Sequence, residues 1–143
     1  MAARVLVVED DRIFRVPLRA ALVMAGYDVL VAESAEAAEQ VLAREPVDVV
    51  LSDVGLPGMD GVRLAAGHPG TPFVQMTGAP SDQLPRATLP PGVTACLVKP
   101  FDVPHLLAAL REAMNVRGAI REAIRPWPAS SIEPPRAARR VRG

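Results

Sequence analysis

The sequence predicts an α/β fold in which five parallel strands alternate with helices. Five short apolar runs, at residues 4–8, 29–31, 47–52, 72–76 and 94–98, are typical of strands buried on both faces. Between most of them, apolar residues recur every three or four positions, as on one face of a helix. Strands that alternate with helices favour a parallel sheet covered by helices. The chain has 143 residues, which suits one compact domain.

The first two helices have clear start and stop signals. Asp11 can cap the first helix, and Gly26 ends it. Pro17 lies inside that helix and lacks a backbone donor, so we expect a kink or a late helix start. Ser34 opens the second helix, which runs to Arg44. The apolar stripe of the first helix consists of Phe14, Leu18, Leu22 and Ala25.

The third and fourth helices are predicted to be unusual. The turn residues at 56–61 leave space only for a short third helix, at 62–66. Residues 79–92 include four prolines, so we expect an irregular fourth helix. Asp102 caps a last helix, with Pro104 in its first turn.

Charge and composition divide the chain near residue 116. Residues 1–114 contain 9 Lys+Arg and 14 Asp+Glu, whereas residues 115–143 contain 7 Arg and 2 Glu. We expect one domain over residues 1–116, then a helical extension and a disordered, basic Pro/Arg-rich tail over 117–143. Ile120 and Ile124 would prolong the apolar stripe of the last helix past Gly118, which suggests a homodimer contact.

The cysteine and histidine content and the hydropathy of the sequence exclude several classes of protein. Cys96 is the only cysteine, so no intrachain disulfide forms, and with two histidines no Cys/His metal cluster is possible. We expect Cys96 to be a small buried residue and His68 and His105 to be solvated. No apolar run reaches the roughly 18 residues of a membrane span, and no signal peptide is evident. We therefore expect a cytoplasmic protein without membrane insertion, and no nucleic-acid binding because only the tail is basic.

Polar residues follow the predicted strands at the edge of the sheet where α/β proteins form their sites. They are Glu9 and Asp10 after the first strand, Asp53 after the third, Thr77 after the fourth and Lys99 after the fifth. Three neighbouring carboxylates require a cation, and Mg²⁺ with phosphate fits oxygen ligands. A carboxylate can also act as a nucleophile toward phosphorus. Lys99 is the only lysine among 16 basic residues, which indicates a need for a compact ammonium.

These motifs, in this order, resemble the receiver domains of bacterial two-component response regulators. The similar segments are residues 5–11, 49–61, 76–78 and 97–101, and the resemblance covers about residues 4–115. It implies the fold of the chemotaxis regulators, a flavodoxin-like doubly wound parallel sheet of five strands in the order 2-1-3-4-5.

The resemblance also assigns roles to the site residues. It implies that Glu9 and Asp10 bind Mg²⁺ (or Mn²⁺) together with Asp53 and the backbone carbonyl of Gly55. It implies that Asp53 accepts a phosphoryl group from a sensor histidine kinase or a histidine phosphotransfer protein, and that Lys99 pairs with the phosphate. A cis peptide bond is implied between Lys99 and Pro100.

The switch region is implied by the same resemblance. The hydroxyl of Thr77, with Gly78 beside it, is expected to move toward the phosphate and report the modification. The switch aromatic of the family aligns with Cys96, and a thiol cannot swing as a large aromatic does. The short third helix and the prolines of residues 79–92 also depart from the family. We therefore expect phosphorylation with an unconventional structural consequence.

The predicted function is that of a single-domain response regulator that signals to a downstream protein by protein–protein interaction. Such a protein catalyses only its own phosphorylation and dephosphorylation, so we do not expect an enzyme. The small residues Gly55 and Ala79 favour a short-lived phosphoaspartate. The alternative is a pseudo-receiver, a constitutive binding module without a conventional switch. A haloacid dehalogenase-type hydrolase is disfavoured because it needs an aspartate at the position of Gly55.

Overall fold

The computed structural model describes residues 2–56, 58–78 and 92–124 of the chain. The proline-rich segment predicted to form an irregular helix and the basic tail lie outside the described residues, as do the side chains of Ile120 and Ile124. The elements are β1 (Arg4–Val8), α1 (Arg12–Met24), β2 (Asp28–Ala32), α2 (Ala35–Arg44), β3 (Val49–Asp53), α3 (Gly61–Ala66), β4 (Phe73–Thr77), β5 (Val93–Val98) and α4 (Val103–Ile124).

The five strands form one parallel sheet in the order β2-β1-β3-β4-β5, so the predicted fold class and strand order are confirmed. Strand β1 lies between β2 and β3, and Leu6 is opposite Leu30 on one side and Val50 on the other. The chain moves outward from β1 to β2 and then returns to build β3, β4 and β5. This reversal places the carboxyl ends of β1 and β3 side by side, where α/β sheets form their sites.

Each face of the sheet carries its own apolar core. Side chains alternate between the two faces along each strand. On one face, Val7, Leu51 and Met76 pack with residues of α1 and α4. On the other, Leu6 and Val50 pack with residues of α2 and α3. Because helices cover both faces, the inner strands are buried throughout, as their continuous apolar runs predicted.

The helix starts are fixed by side-chain caps. Asp11 accepts a hydrogen bond from the amide of Ile13, and Ser34 accepts one from Ala37, as predicted. Helix α1 begins at Arg12, so the expectation of a late start at Pro17 is wrong. Pro17 is exposed and lies in the second turn, where it removes only one helical hydrogen bond.

The last two helices also match their signals. Helix α3 has six residues, which confirms the predicted short third helix. Helix α4 has its cap at Asp102, whose side chain accepts from the amide of His105, and it runs past Gly118. The division into a domain at 1–116 and an extension at 117–143 stays a prediction. No helix in the described ranges combines the length and the apolar character that crossing a membrane requires.

Candidate functional site

The carboxyl ends of the central strands bring the predicted site residues together. Glu9 follows β1 directly and is fully buried, and Asp53 is the last residue of β3. Thr77 ends β4 and is 1% exposed. The backbone N–H of Lys99, just after β5, donates to the carbonyl of Thr77 at 2.8 Å. Strand pairing therefore sets the spacing of the site.

Lys99 joins two carboxylates at the centre of the site. Its Nζ donates to Oε1 of Glu9 at 2.7 Å and to Oδ2 of Asp53 at 3.0 Å. The side chains of Lys99, Glu9 and Asp53 are 18%, 1% and 13% exposed, so both ion pairs are largely desolvated. Such pairs are screened far less by salt than surface ion pairs are.

Backbone amides hold the other carboxylate oxygens. Oδ1 of Asp53 accepts from the N–H of Gly55 at 3.0 Å, and Oε2 of Glu9 accepts from the N–H of Asp11 at 3.1 Å. Each carboxylate therefore has one oxygen on Lys99 and one on the loop that follows its own strand.

The pKa values reflect burial and pairing together. Burial raises the pKa of Glu9, and the nearby charge of Asp53 raises it further, against the hydrogen bonds from Lys99 and Asp11. Burial is the largest influence on Lys99 and acts to lower its pKa. The hydrogen bonds and charges of Glu9 and Asp53 together outweigh burial, so the pKa of Lys99 is raised. Lys99 is therefore a fixed positive charge at neutral pH.

Three carboxylates are close enough to share a metal ion. One carboxylate oxygen from each of Glu9, Asp10 and Asp53 lies within 4.8 Å of the others. Glu9 is buried and Asp53 largely so, whereas Asp10 is exposed and leaves the cluster open to solvent. Carboxylate oxygens in an open cluster of this size fit Mg²⁺ or Mn²⁺, which keep waters or take phosphate oxygens as further ligands.

The chain matches the family model of the response regulator receiver domain over residues 5–111. It belongs to that family. Response regulator protein FleR of Pseudomonas aeruginosa is 41% identical over 111 residues, which are 75% of this chain and 24% of FleR. Transcriptional regulatory protein AruR of the same organism is 36% identical over 143 residues, 89% of this chain and 58% of AruR. The chain thus spans only part of the length of these relatives.

Solved structures agree with the family assignment. The signal receiver domain of an HD domain-containing protein from Pseudomonas fluorescens Pf-5 is 31% identical with a TM-score of 0.75, over 83% of this chain and 99% of that one. Chemotaxis response regulator CheY4 of Vibrio cholerae is 30% identical with a TM-score of 0.69, over 79% and 99% of the two chains.

The remaining predicted residues of this receiver domain lie on β5 or next to the ends of β3, β4 and β5. Gly55 and Gly78 are exposed at the ends of β3 and β4. Cys96 is opposite Gln75 in the pairing of β4 with β5, and it is half-buried. The expectation of a buried Cys96 is wrong because β5 is the edge strand of the sheet. The predicted cis peptide bond between Lys99 and Pro100 is present.

The histidines behave differently from each other. His105 is 78% exposed beside its cap Asp102, as predicted. His68 is not simply solvated, because its Nε2 lies 2.6 Å from Oε1 of Glu39 and its side chain is 24% exposed. The end of α3 meets α2 there, which brings together residues 29 positions apart.

Sequence reasoning missed three residues that support the site. Arg15 donates from Nη1 to the carbonyl of Glu9 at 2.9 Å and so braces the loop that carries the acidic pair. Gln75 is fully buried and donates from Nε2 to the carbonyl of Gly61 at 3.0 Å. The ring of Phe14 lies 4.3 Å from Nζ of Lys99. Of these three residues, only Gln75 had a signal in the sequence, because it is a glutamine inside an apolar run.

Proposed function

We propose that this receiver domain accepts a phosphoryl group on Asp53 from the phosphohistidine of a sensor histidine kinase or a histidine phosphotransfer protein. The observation that supports this most strongly is the bridge from Nζ of Lys99 to Glu9 and Asp53, beside a cluster of three carboxylates. It combines a nucleophilic carboxylate, a cation for the transferred charge and candidate metal ligands, which are the needs of phosphoryl transfer.

In the proposed reaction, a carboxylate oxygen of Asp53 forms a bond to phosphorus while the P–N bond of the donor phosphohistidine breaks. The electron pair of that bond returns to the imidazole nitrogen, which takes a proton from solvent. Oδ1 is held by the amide of Gly55 and Oδ2 by Lys99, so the carboxylate has a fixed orientation before the donor arrives. In the reverse change, a water oxygen forms the bond to phosphorus while the P–O bond to Asp53 breaks, which restores the carboxylate and releases inorganic phosphate.

Lys99 and the metal ligands would compensate the added negative charge. Nζ of Lys99 is already 3.0 Å from Oδ2 of Asp53, so a small movement brings it to a phosphoryl oxygen. Glu9, Asp10 and Asp53, with the carbonyl of Gly55, would hold Mg²⁺ or Mn²⁺. A bound divalent cation supplies charge neutralisation at the phosphoryl oxygens.

The response to phosphorylation is proposed to be a change in binding to a downstream protein, in the cytoplasm. The domain acts on itself and on no other substrate. Thr77 is buried at the end of β4, on the strand beside β5, and would carry the change toward Cys96. A pseudo-receiver that binds its partner constitutively is the second candidate, and the half-buried Cys96 in place of a large aromatic favours it.

Acetyl phosphate tests the proposal without a cognate kinase. We expect incubation with acetyl phosphate and Mg²⁺ to add one phosphoryl mass to the intact protein, and chelation of Mg²⁺ to prevent it. Asp53→Ala should remain unmodified, whereas the control Asp11→Asn should be modified like wild type, because Asn retains the cap of α1. No adduct on the folded wild-type protein would contradict phosphorylation and leave the pseudo-receiver as the better account.

A further inference from the structure

An aromatic pair borders the site at Lys99. The Phe14 ring of α1 lies under the ammonium of Lys99, with Nζ 4.3 Å from the ring centroid. Phe101, just beyond Lys99 and Pro100, meets Phe14 edge to face, with centroids 5.7 Å apart and planes at 82°. The chain has three phenylalanines, and two of them are in this pair.

We propose that Phe14 is a positioning residue for Lys99: its ring face holds the ammonium in the place from which it reaches the phosphoryl group on Asp53. This inference rests on the proposed function of Asp53. The distance of 4.3 Å is within the range of about 6 Å over which a cation is attracted to a ring face.

The surroundings of Lys99 explain why it needs such a support. Lysine has a flexible stem of four carbons and a point-like charge, so its ammonium has less built-in direction than a planar guanidinium. Glu9 and Asp53 attract the ammonium through hydrogen bonds, and the ring of Phe14 offers a further attractive surface. The Lys99 side chain is 18% exposed, and desolvation strengthens a cation–π contact.

Phosphorylation would make the ring more important. Lys99 must exchange its bond to Oδ2 of Asp53 for one to a phosphoryl oxygen. The contact with Phe14 has no directional hydrogen bond to break, so it can persist while the carboxylate partner changes. The ring would keep the ammonium within reach during the transfer.

The ring itself is well anchored. The N–H of Phe14 donates to the carbonyl of Asp11 at 3.2 Å in the first turn of α1, and Asp11 is the cap of that helix. Phe101, in the segment that also carries Lys99, packs against the Phe14 ring in this edge-to-face contact. Phe14 therefore links the start of α1 to the end of β5, and a simple role in core packing would not require its face to meet the ammonium.

The single lysine makes the contact directly measurable. Labelling with ¹³C-lysine gives one ε-methylene signal in the NMR spectrum, that of Lys99. Protons that lie above the face of an aromatic ring are shifted upfield, so the ε-methylene protons of Lys99 report the contact with Phe14. We expect an upfield shift in wild type, its retention in Phe14→Tyr and its loss in Phe14→Leu.

Phosphorylation by acetyl phosphate with Mg²⁺ supplies the functional readout. We expect Phe14→Leu to slow phosphorylation about two- to five-fold, the factor that matches a cation–π contact of moderate strength. Phe14→Tyr should restore the wild-type rate. Phe73→Leu is the matched control, because Phe73 is fully buried in the core on the other face of the sheet; it should keep both the shift and the rate.

The outcomes separate this inference from the proposed function. An unshifted Lys99 signal in wild type, or an unchanged phosphorylation rate in folded Phe14→Leu, would overturn the role of Phe14. An equal slowing in Phe73→Leu would also overturn it, since general destabilisation would then suffice. If wild type is folded and takes no phosphoryl group, the proposed function fails, and the role of Phe14 in it fails too, even if the shift shows the contact.

Discussion

Gly61 occupies a position where even one methyl group would disturb both the fold and β3, the strand that ends at Asp53. It is buried at the first residue of α3, directly behind β3. A Cβ built there would lie 2.8 Å from Oε1 of Gln75 and 2.9 Å from Oγ of Ser52, and closest of all to the backbone carbonyl oxygen of Asp53. The nearest group is backbone, so it cannot rotate away.

The cost of Gly61→Ala follows from what must move. Relieving the overlap shifts the start of α3 away from β3, and overpacking of this kind costs about 1–3 kcal/mol. The shift also weakens two hydrogen bonds of Gly61. Its N–H donates to the carbonyl of Val54 at 3.1 Å, and its carbonyl accepts from Nε2 of Gln75 at 3.0 Å. Each is worth about 1 kcal/mol. We expect a total loss of about 2–4 kcal/mol in the free energy of unfolding.

Urea unfolding followed by circular dichroism measures this loss. Gly70→Ala is the matched control, because nothing lies within 4 Å of a Cβ at Gly70. The free energy of unfolding of the control should be equal to that of wild type or higher by up to about 1 kcal/mol. A Gly61→Ala protein that unfolds at the same urea concentration as wild type would refute the close packing of α3 against Asp53.

Three further perturbations test other parts of the structure. Ser34→Ala removes the cap of α2 and should lower the free energy of unfolding by about 1 kcal/mol in urea titration, whereas Ser34→Asp should retain it. The pKa of Lys99 is raised, so its ion pairs stabilise the fold fully below pH 10.5, and this stabilisation is lost as the pH rises through the raised pKa. Between about pH 9 and 12, the free energy of unfolding should fall more steeply in wild type than in Lys99→Met. Equal slopes for the two proteins would count against the ion pairs. A Cβ built at Gly55 has Oδ1 of Asp53, at 3.9 Å, as its nearest neighbour, so the side chain of Gly55→Met would enter open space beside the carboxylate. It should shield the acyl phosphate from water and slow its hydrolysis. An unchanged rate of decay of the phosphoprotein would show that water arrives from elsewhere.

Much of the fold could be predicted because local chemistry and tertiary structure agree. The apolar runs stop where the strands stop, and Asp11 and Ser34 cap the helices that follow. Polar residues at the ends of buried strands must lie together in a parallel sheet, which is why Glu9 and Lys99 could be assigned to one site in advance, although the ion pair between them was not predicted.

Contacts between distant elements could not be predicted in the same way. The periodicity of α1 shows that Phe14 faces inward, but not that its ring meets Lys99, since this depends on how α1 packs over the sheet. The pairing of His68 with Glu39 depends likewise on the approach of α3 to α2. The partial exposure of Cys96 follows from the position of β5 at the edge of the sheet. An apolar run alone does not reveal an edge, whereas the strand order implied by the family resemblance does.

The most direct measurement identifies the residue that carries the phosphoryl group. Borohydride reduces an aspartyl phosphate to homoserine, which peptide mapping by mass spectrometry locates in the chain. After treatment with acetyl phosphate and Mg²⁺, we predict homoserine at Asp53, and none there when Mg²⁺ is chelated. Homoserine at Asp10 or Asp11 instead, or at no position in the folded protein, would contradict the assignment of Asp53 as the phosphoacceptor.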